Sequence, residues 1–136
     1  MQKNGLERFS TLIKLYVLHK IIDLRKQISE WKSEGLSVGL VPTMGGLHNG
    51  HRSLIKLASK KCDRVIVSIF INPTQFGDDE DFETYPQTQK SDITLISEAG
   101  GDAAFIPNVS EMYPRGFSTK VSVIGLTNML CGASRP

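Results

Sequence analysis

Apolar positions along the chain alternate between short continuous runs and longer segments with helical spacing. Leu15–Leu18 is a short apolar run that predicts a first strand. In the next segment, apolar residues three or four positions apart predict an amphipathic helix that ends at Gly35. Its apolar face comprises Ile21, Leu24, Ile28 and Trp31. Residues 1–14 show no sustained period, so we expect a poorly ordered tail there.

Two further apolar runs predict strands with a helix between them. Val38–Val41 lacks polar alternation, as is typical of a strand buried on both faces, and it ends at Pro42. Arg64–Ile71 is rich in Val and Ile, which favour strands. The helix between them is predicted from Leu54, Ile55, Leu57 and Ala58. Strand, helix and strand in this order predict a parallel crossover unit.

The rest of the chain continues this alternation. Asn72–Pro86 is a polar loop, and long loops of this kind are usually functional or mobile. A helix that ends at Gly100 is followed by a short strand, Ala103–Ile106, a further strand, Ser118–Ile124, and a helix start, Leu126–Cys131. The apolar residues that predict the helix before Gly100 are Ile93, Leu95, Ile96 and Ala99. The whole pattern predicts the α/β fold class, with an open, mostly parallel sheet flanked by helices.

Composition narrows the function classes. A chain of 136 residues with 40% hydrophobic and 22% charged residues is typical of one globular domain. The net charge of +2 and the lack of long basic runs argue against nucleic acid or an anionic membrane as a partner. Cys62 and Cys131 do not suggest a disulfide framework, and Met1–Leu18 lacks the features of an export signal. We therefore expect a cytoplasmic protein.

Ligands of open α/β sheets bind outside the carboxyl ends of the strands, which selects two segments, Pro42–His51 and Phe70–Gly77. In the first, His48 and His51 are three residues apart at a predicted helix start, so both imidazoles should lie on one side. Gly50 would let a ligand approach the backbone, and the free N–H groups and helix dipole favour a phosphate. Imidazole N–H donors can neutralise the charge that builds when an α-phosphate is attacked. The segment predicts a triphosphate cradle.

Other interpretations of this segment stay open on spacing alone. The histidines could be a surface pair on a helix or part of a metal site. Zinc is the weaker alternative, because no third and fourth ligand follow at a recognisable spacing. Gly45 and Gly46 could simply be turn residues, and the segment matches neither a Walker motif nor a dinucleotide fingerprint.

The second segment offers neutral polar groups directly after a buried strand. The amides of Asn72 and Gln75 could bind the hydroxyl and carboxylate groups of a small acid, although a loop cap explains such residues as well. Tyr85, Tyr113 and Arg115 could approach the same place or merely pack on the surface. The acidic cluster Asp78–Asp81 lacks a calcium-loop spacing, and we assign no metal ligands.

These segments carry a resemblance to a known family. The string Val-Pro-Thr-Met-Gly-Gly-Leu-His-Asn-Gly-His at 41–51 resembles the ATP-binding motif of the pantothenate synthetases, which belong to the His-x-Gly-His nucleotidyltransferase superfamily. Further strings recur in the same order in that family: Ser-Ile-Phe-Ile-Asn-Pro-Thr-Gln-Phe-Gly at 68–77, Tyr-Pro at 85–86, Met-Tyr-Pro at 112–114 and Cys-Gly-x-x-Arg-Pro at 131–136. A lone His-x-Gly-His would indicate only the superfamily, whereas this ordered set is specific. It extends from about Leu15 to Pro136.

The resemblance implies a Rossmann-like domain over 15–136 that binds ATP and pantoate, with Mg²⁺, in a cytoplasmic homodimer. It implies an ATP-dependent ligase that joins pantoate to β-alanine through a pantoyl-adenylate and releases pyrophosphate and AMP. His51 would take the position of the family's proton donor, with His48 beside it on the phosphates, and Gln75 would hold pantoate and later β-alanine. The implied ATP-binding residues are Met44, Gly45, Gly46, Leu47, His48, Asn49, Gly50 and His51. The other implied substrate-binding residues are Asn72, Pro42, Thr43 and Arg135.

The chain departs from the family at its end. The family's downstream Gly-Glu-Lys-Asp segment, its following Gln and its Ser-x-Arg loop would lie beyond Pro136, so we expect a truncated domain, incomplete for turnover, without the smaller carboxy-terminal domain. Two alternatives stay open. Another nucleotidyltransferase of the superfamily would keep His48 and His51 but would have no need of the string at 72–77. A non-catalytic nucleotide-binding fragment would release no pyrophosphate from ATP and pantoate.

Overall fold

A parallel β-sheet runs through the centre of the protein. The structure, a computed structural model, describes residues 15–76 and 88–119. Its strands are β1 (Tyr16–Leu18), β2 (Val38–Thr43), β3 (Arg64–Ile69) and β4 (Ala103–Phe105). They lie in the order β1-β4-β3-β2, and every neighbouring pair is parallel. The predicted α/β class is confirmed, and the architecture is Rossmann-like.

Helices cover both faces of this sheet. The α-helices are α1 (Ile21–Ser33), α2 (Asn49–Lys61), α3 (Gln89–Ala99) and α4 (Val109–Met112). α2 and α3 pack on one face, and α1 packs on the other together with Met112 of α4. The predicted strand at Leu15–Leu18 is confirmed as β1, and the three predicted helices are confirmed as α1, α2 and α3, while the short helix α4 was not predicted.

The core follows from the alternation of side chains along β3. Val65, Val67 and Ile69 point to the face covered by α2 and α3. Ile66 points to the opposite face, where it packs in one cluster with Trp31 of α1, whose exposed fraction is 5%. Side chains of this size contribute roughly 1.5–3 kcal/mol each when fully buried, so β3 anchors both layers.

The prediction that Val38–Val41 is buried on both faces is wrong. β2 is one of the two edge strands of the sheet within the described part of the chain, and Leu40 is 64% exposed whereas Val41 is 6% exposed. The strand also continues beyond its predicted end, because Pro42 and Thr43 stay in register with Ser68 and Ile69 of β3. A proline fits here because an edge strand leaves one side of its backbone unpaired.

Two hydrogen bonds to α4 fix the start of α1. Glu111 of α4 accepts hydrogen bonds from the backbone N–H of Ile21 at 2.8 Å and from Nζ of Lys20 at 3.1 Å. These two donors, the Ile21 N–H first, hold the pKa of the Glu111 carboxyl below its ordinary value. The hydrogen bonds connect α4 to the first turn of α1. The negative charge of Glu111 near the N-terminus of α1 also interacts favourably with the helix dipole.

Several predictions fall outside the described residues. They are the tail at 1–14, the acidic cluster Asp78–Asp81, Tyr85, nearly all of the strand Ser118–Ile124, the helix start Leu126–Cys131 and Arg135. Among the helices that the structure does describe, none combines the length and apolar character required to cross a bilayer.

Candidate functional site

The two segments selected from the sequence emerge side by side at the carboxyl end of the sheet. Thr43 and Ile69 are register partners at the ends of β2 and β3. Beyond them, the N–H of Phe70 donates to the carbonyl of Thr43 at 3.1 Å, and the Thr43 hydroxyl donates to the carbonyl of Ser68 at 2.7 Å. The strand ends are thus hydrogen-bonded to each other, which places the two loops next to one another.

The segment after β2 forms a tight turn at its two glycines. Gly45 has φ of 90° and Gly46 has φ of 64°, in the left-handed region that favours glycine. A Cβ on Gly45 would lie 3.2 Å from Cγ2 of Ile69 and 3.4 Å from Oδ2 of Asp92. Both residues therefore serve as turn residues, and Gly45 in addition has little room for a side chain.

A buried carboxylate that we did not predict holds this turn. Asp92 of α3 is 2% exposed, and it accepts hydrogen bonds from the N–H of Gly46 at 3.0 Å and of Leu47 at 2.8 Å. The sequence did hold a signal for it: Asp92 precedes Ile96 by one helical turn, so it lies on the buried stripe of α3. A carboxylate on such a stripe needs hydrogen-bond donors.

The two histidines form a reciprocal cap on α2. His48 is the N-cap residue, and its Nδ1 accepts a hydrogen bond from the Gly50 N–H at 3.1 Å. Nδ1 of His51 accepts from the His48 N–H at 3.4 Å. Since an acceptor nitrogen carries no hydrogen, the hydrogen of each neutral ring resides on Nε2. Both rings are therefore left with one N–H donor each.

The rings lie together, as the spacing predicted. Their centroids are 4.2 Å apart with an interplanar angle of 59°. The space beside Cα of Gly50 is filled by the His48 ring: a Cβ there would lie 2.9 Å from Cε1 of His48. Its lack of a side chain lets the His48 ring fold over the first turn of α2.

The surroundings of His51 keep its ring neutral. Partial burial lowers the pKa of His51 from its ordinary value of 6.5, and the nearby His48 lowers it further. The negative charge of Asp92 acts in the opposite direction and is the smallest of these three influences. At neutral pH, His51 is therefore an uncharged hydrogen-bond donor rather than an imidazolium.

The loop after β3 presents an oriented amide. Asn72 caps a short 3-10 turn, Pro73–Gln75, and its Oδ1 accepts hydrogen bonds from the Thr74 N–H at 3.1 Å and the Thr74 hydroxyl at 2.9 Å. The hydroxyl of Tyr113 donates to the same oxygen at 3.0 Å. The cap interpretation of Asn72 thus holds for its oxygen, while its NH₂ group is the part that can serve a ligand.

The other predicted residues lie around these groups with differing exposure. Exposed are Pro42, Asn49 and Gln75, while Met44, Thr43 and Leu47 are half-buried. Leu47 packs against the core between the sheet and α2 and α3. Within residues 15–76 and 88–119, no three His, Cys, Asp or Glu side chains group closely enough to hold a metal ion.

Comparison with known proteins gives a consistent result. The sequence profile of the family Pantoate-beta-alanine ligase matches residues 16–136. The chain is 50% identical over 122 residues to a pantothenate synthetase of Paramagnetospirillum magneticum, and 52% identical over 122 residues to one of Enterococcus faecalis. Each alignment covers 90% of this chain and 43% of the relative.

The solved structures that superpose on this chain have the same names as these relatives or as the family. A crystal structure of pantothenate synthetase from Thermus thermophilus superposes with a TM-score of 0.78 at 42% identity, covering 90% of this chain and 43% of that one. A pantoate-beta-alanine ligase from Francisella tularensis, complexed with beta-gamma ATP and beta-alanine, superposes with a TM-score of 0.76 at 38% identity, covering 90% of this chain and 47% of that one. The chain spans less than half the length of these proteins, and it belongs to the pantoate-beta-alanine ligase family.

Proposed function

We propose that the protein to which this chain belongs joins pantoate to β-alanine at the expense of ATP, through a pantoyl-adenylate. The single observation that supports this most strongly is the reciprocal cap of His48 and His51, which leaves two imidazole N–H donors at the start of α2. Family membership and the ATP-containing complex of the Francisella tularensis relative point in the same direction.

In this proposal the phosphates of ATP meet the histidine pair. Each Nε2–H donates a hydrogen bond to a phosphoryl oxygen, and the first turn of α2 contributes its dipole. These donors stabilise the charge that builds on the phosphoryl oxygens and on the departing pyrophosphate. Because its pKa is lowered, His51 acts through a hydrogen bond from a neutral ring. The residues proposed to line the ATP site are Met44, Gly45, Gly46, Leu47, His48, Asn49, Gly50 and His51.

The acid substrate binds beside them, at the loop after β3. The NH₂ groups of Asn72 and Gln75 donate to pantoate, and Pro42 and Thr43 shape the wall on the β2 side. The hydrogen bonds that join the ends of β2 and β3 support this proximity. Arg135 stays a candidate for the far side of the pocket, outside the described residues.

The proposed reaction has two steps. A carboxylate oxygen of pantoate attacks the α-phosphorus of ATP, the bond from that phosphorus to the bridging oxygen breaks, and pyrophosphate leaves. The neutral amine nitrogen of β-alanine then attacks the acyl carbon, the bond from that carbon to the phosphate oxygen of AMP breaks, and AMP leaves. The nitrogen loses a proton to solvent as the amide of pantothenate forms. Binding both reactants in one cleft supplies the orientation that such steps require.

Further partners follow the family. We propose Mg²⁺ as the companion of the triphosphate, bound by phosphate oxygens and water, as is usual for this ion at nucleotide sites. A homodimer in the cytoplasm is proposed for the complete protein. The present chain spans 43% of its relatives, so we propose that by itself it binds nucleotide weakly and does not complete turnover.

The test is a dissection of product release by the complete protein. Pyrophosphate should form only when ATP and pantoate are both present, and AMP should appear as free product only after β-alanine is added. Pyrophosphate release that does not depend on pantoate would point instead to another nucleotidyltransferase. If the 136-residue chain alone forms pyrophosphate from ATP and pantoate, its description as a non-catalytic fragment is wrong.

A further inference from the structure

The carboxylate of Asp92 makes three side-chain hydrogen bonds inside the protein. Oδ1 accepts from the N–H of Leu47 at 2.8 Å. Oδ2 accepts from the N–H of Gly46 at 3.0 Å and from the hydroxyl of Thr88 at 3.1 Å. A buried carboxylate is costly unless it is hydrogen-bonded, and these donors satisfy both of its oxygens.

Its position in α3 suits a negative charge. Asp92 lies in the first turn of the helix, and its own N–H donates to the carbonyl of Thr88 at 2.9 Å. The helix dipole stabilises an anion at this end. The carboxylate thus bridges the start of one helix, α3, and the loop that leads into another, α2.

The groups that it binds are those that a phosphate would otherwise use. Successive backbone N–H groups in a glycine turn form an anion-binding concavity. In this protein, the N–H groups of Gly46 and Leu47 are occupied by Asp92. Leu47 directly precedes His48, so the same contacts set the direction in which the chain enters the histidine cap.

We propose that Asp92 is a positioning residue of the nucleotide site, whose carboxylate takes the anion position of the glycine turn and so holds His48 and His51 where they meet the phosphates. This inference rests on the proposed function and adds a residue to it. In this arrangement the N–H groups of Gly46 and Leu47 bind Asp92. The imidazole N–H groups of the two histidines are the donors that bind the phosphates.

The charge of Asp92 acts on His51 as well. It is one of the influences on the pKa of His51, and it acts against burial and against His48. Loss of this charge should therefore lower the pKa of His51 further. That effect reports whether Asp92 and His51 lie close together in solution, and the binding measurement below tests the positioning role itself.

The first test is Asp92→Asn in the complete protein, with binding of a non-hydrolysable ATP analogue measured by calorimetry. An asparagine offers one acceptor oxygen and turns an NH₂ group toward a backbone N–H, so we expect the Kd to rise about 10-fold to 100-fold. NMR titration of the same variant should show a lower pKa for His51. A wild-type Kd in this variant overturns the inference.

Asp102→Asn is the matched control. Asp102 is also a partly buried carboxylate, and it accepts a hydrogen bond from the N–H of Val65 at 2.8 Å, at the opposite, amino end of the strands. We expect this variant to lose stability but to keep its Kd within about twofold of the wild type and its His51 pKa unchanged. If both variants weaken binding equally, the effect is general destabilisation and the inference is wrong.

A second measurement uses the wild type and does not depend on whether a variant folds. In NMR spectra of the labelled protein, the Gly46 and Leu47 amides should keep their hydrogen bonds to Asp92 when the ATP analogue binds. Coupling of either amide to phosphorus would overturn the inference and leave the proposed function intact. Failure of the wild type to bind the analogue would overturn both.

Discussion

The hydroxyl of Tyr113 donates a hydrogen bond to Oδ1 of Asn72 at 3.0 Å, although 41 positions separate the two residues. The Tyr113 ring packs between Phe70 and Phe117, with centroid distances of 6.2 Å and 5.1 Å. Because this oxygen also accepts from Thr74, the amide of Asn72 is fixed in one orientation. The direction of its two N–H donors is therefore fixed as well.

Replacement of Tyr113 by Phe should weaken binding of the acid substrate. The variant keeps the ring but loses the hydroxyl, and one hydrogen bond of this type contributes about 0.5–1.5 kcal/mol. We expect KM for pantoate to rise about threefold to tenfold, while KM for ATP stays unchanged. Steady-state kinetics of the complete protein measure both. Tyr16→Phe is the matched control, since Tyr16 is the first residue of β1 at the opposite end of the sheet; a change in KM for ATP alone would contradict the role of Tyr113.

Replacement of His51 by Ala should reduce kcat. Removal of one donor to the charge that builds in the transition state typically costs about 10²–10³ in rate. Single-turnover formation of pyrophosphate in the complete protein is the direct measurement. His19→Ala provides the control, because its Nδ1 contacts the carbonyl of Ile106 beside β1, away from β2 and α2. A near-normal rate in the His51 variant would refute its role.

We expect an NMR titration of the protein to give His51 a pKa below its ordinary value of 6.5. His48→Asn keeps an N-cap acceptor but removes the neighbouring imidazole, so it should raise the pKa of His51 part of the way back. A value above 6.5 in the wild type would contradict the burial of the ring.

The lowered pKa of His51 makes the free energy of unfolding depend on pH. Below pH 6.5 the unfolded chain protonates His51 before the folded protein does, so the free energy of unfolding falls as the pH decreases through this window. Above it, the contribution of His51 is constant. Denaturant unfolding of the wild type and of His51→Gln, compared between about pH 7 and pH 5, should show a smaller loss in the variant.

Substitution of the two turn glycines should have unequal effects. Gly45→Ala combines a positive φ with close contacts to Ile69 and Asp92, whereas Gly46→Ala meets nothing within 4 Å. The backbone cost of a left-handed alanine is about 1–2 kcal/mol at either position. We expect Gly45→Ala to lower the free energy of unfolding by at least about 1 kcal/mol more than Gly46→Ala does. Equal losses in denaturant unfolding would show that the contacts at Gly45 relax freely.

The pattern of apolar positions predicted the fold well because it reflects which faces are buried. The spacing that ends at Gly35 and the run Arg64–Ile71 each correspond to an element of the structure. The exposure of Leu40 could not be predicted in this way. An apolar run such as Val38–Val41 looks the same whether one face of the strand is covered or open to solvent. The helix α4 spans only four residues, too few for any period to emerge.

The site was predictable where residues adjacent in sequence act together. His48 and His51 are brought together by one helical turn, and Asn72 follows β3, whose end is hydrogen-bonded to the end of β2. Asp92 escaped notice because its contact with Leu47 is made by tertiary folding, across 45 positions. Tyr113 was named as a residue that could approach the same place, but its hydrogen bond to Asn72, across 41 positions, was not predicted. The family roles of Gln75, Met44 and Pro42 remain predictions.

The glycine turn is folded around an anion that belongs to the protein. Fixing a backbone costs about 1–2 kcal/mol of conformational entropy for each residue. For the turn held by Asp92, that loss is part of folding, so a ligand that binds here would meet a preorganised template. If the protein binds nucleotides as proposed, we expect differences in affinity between them to arise from direct contacts with the phosphates and base, and not from reshaping of this loop.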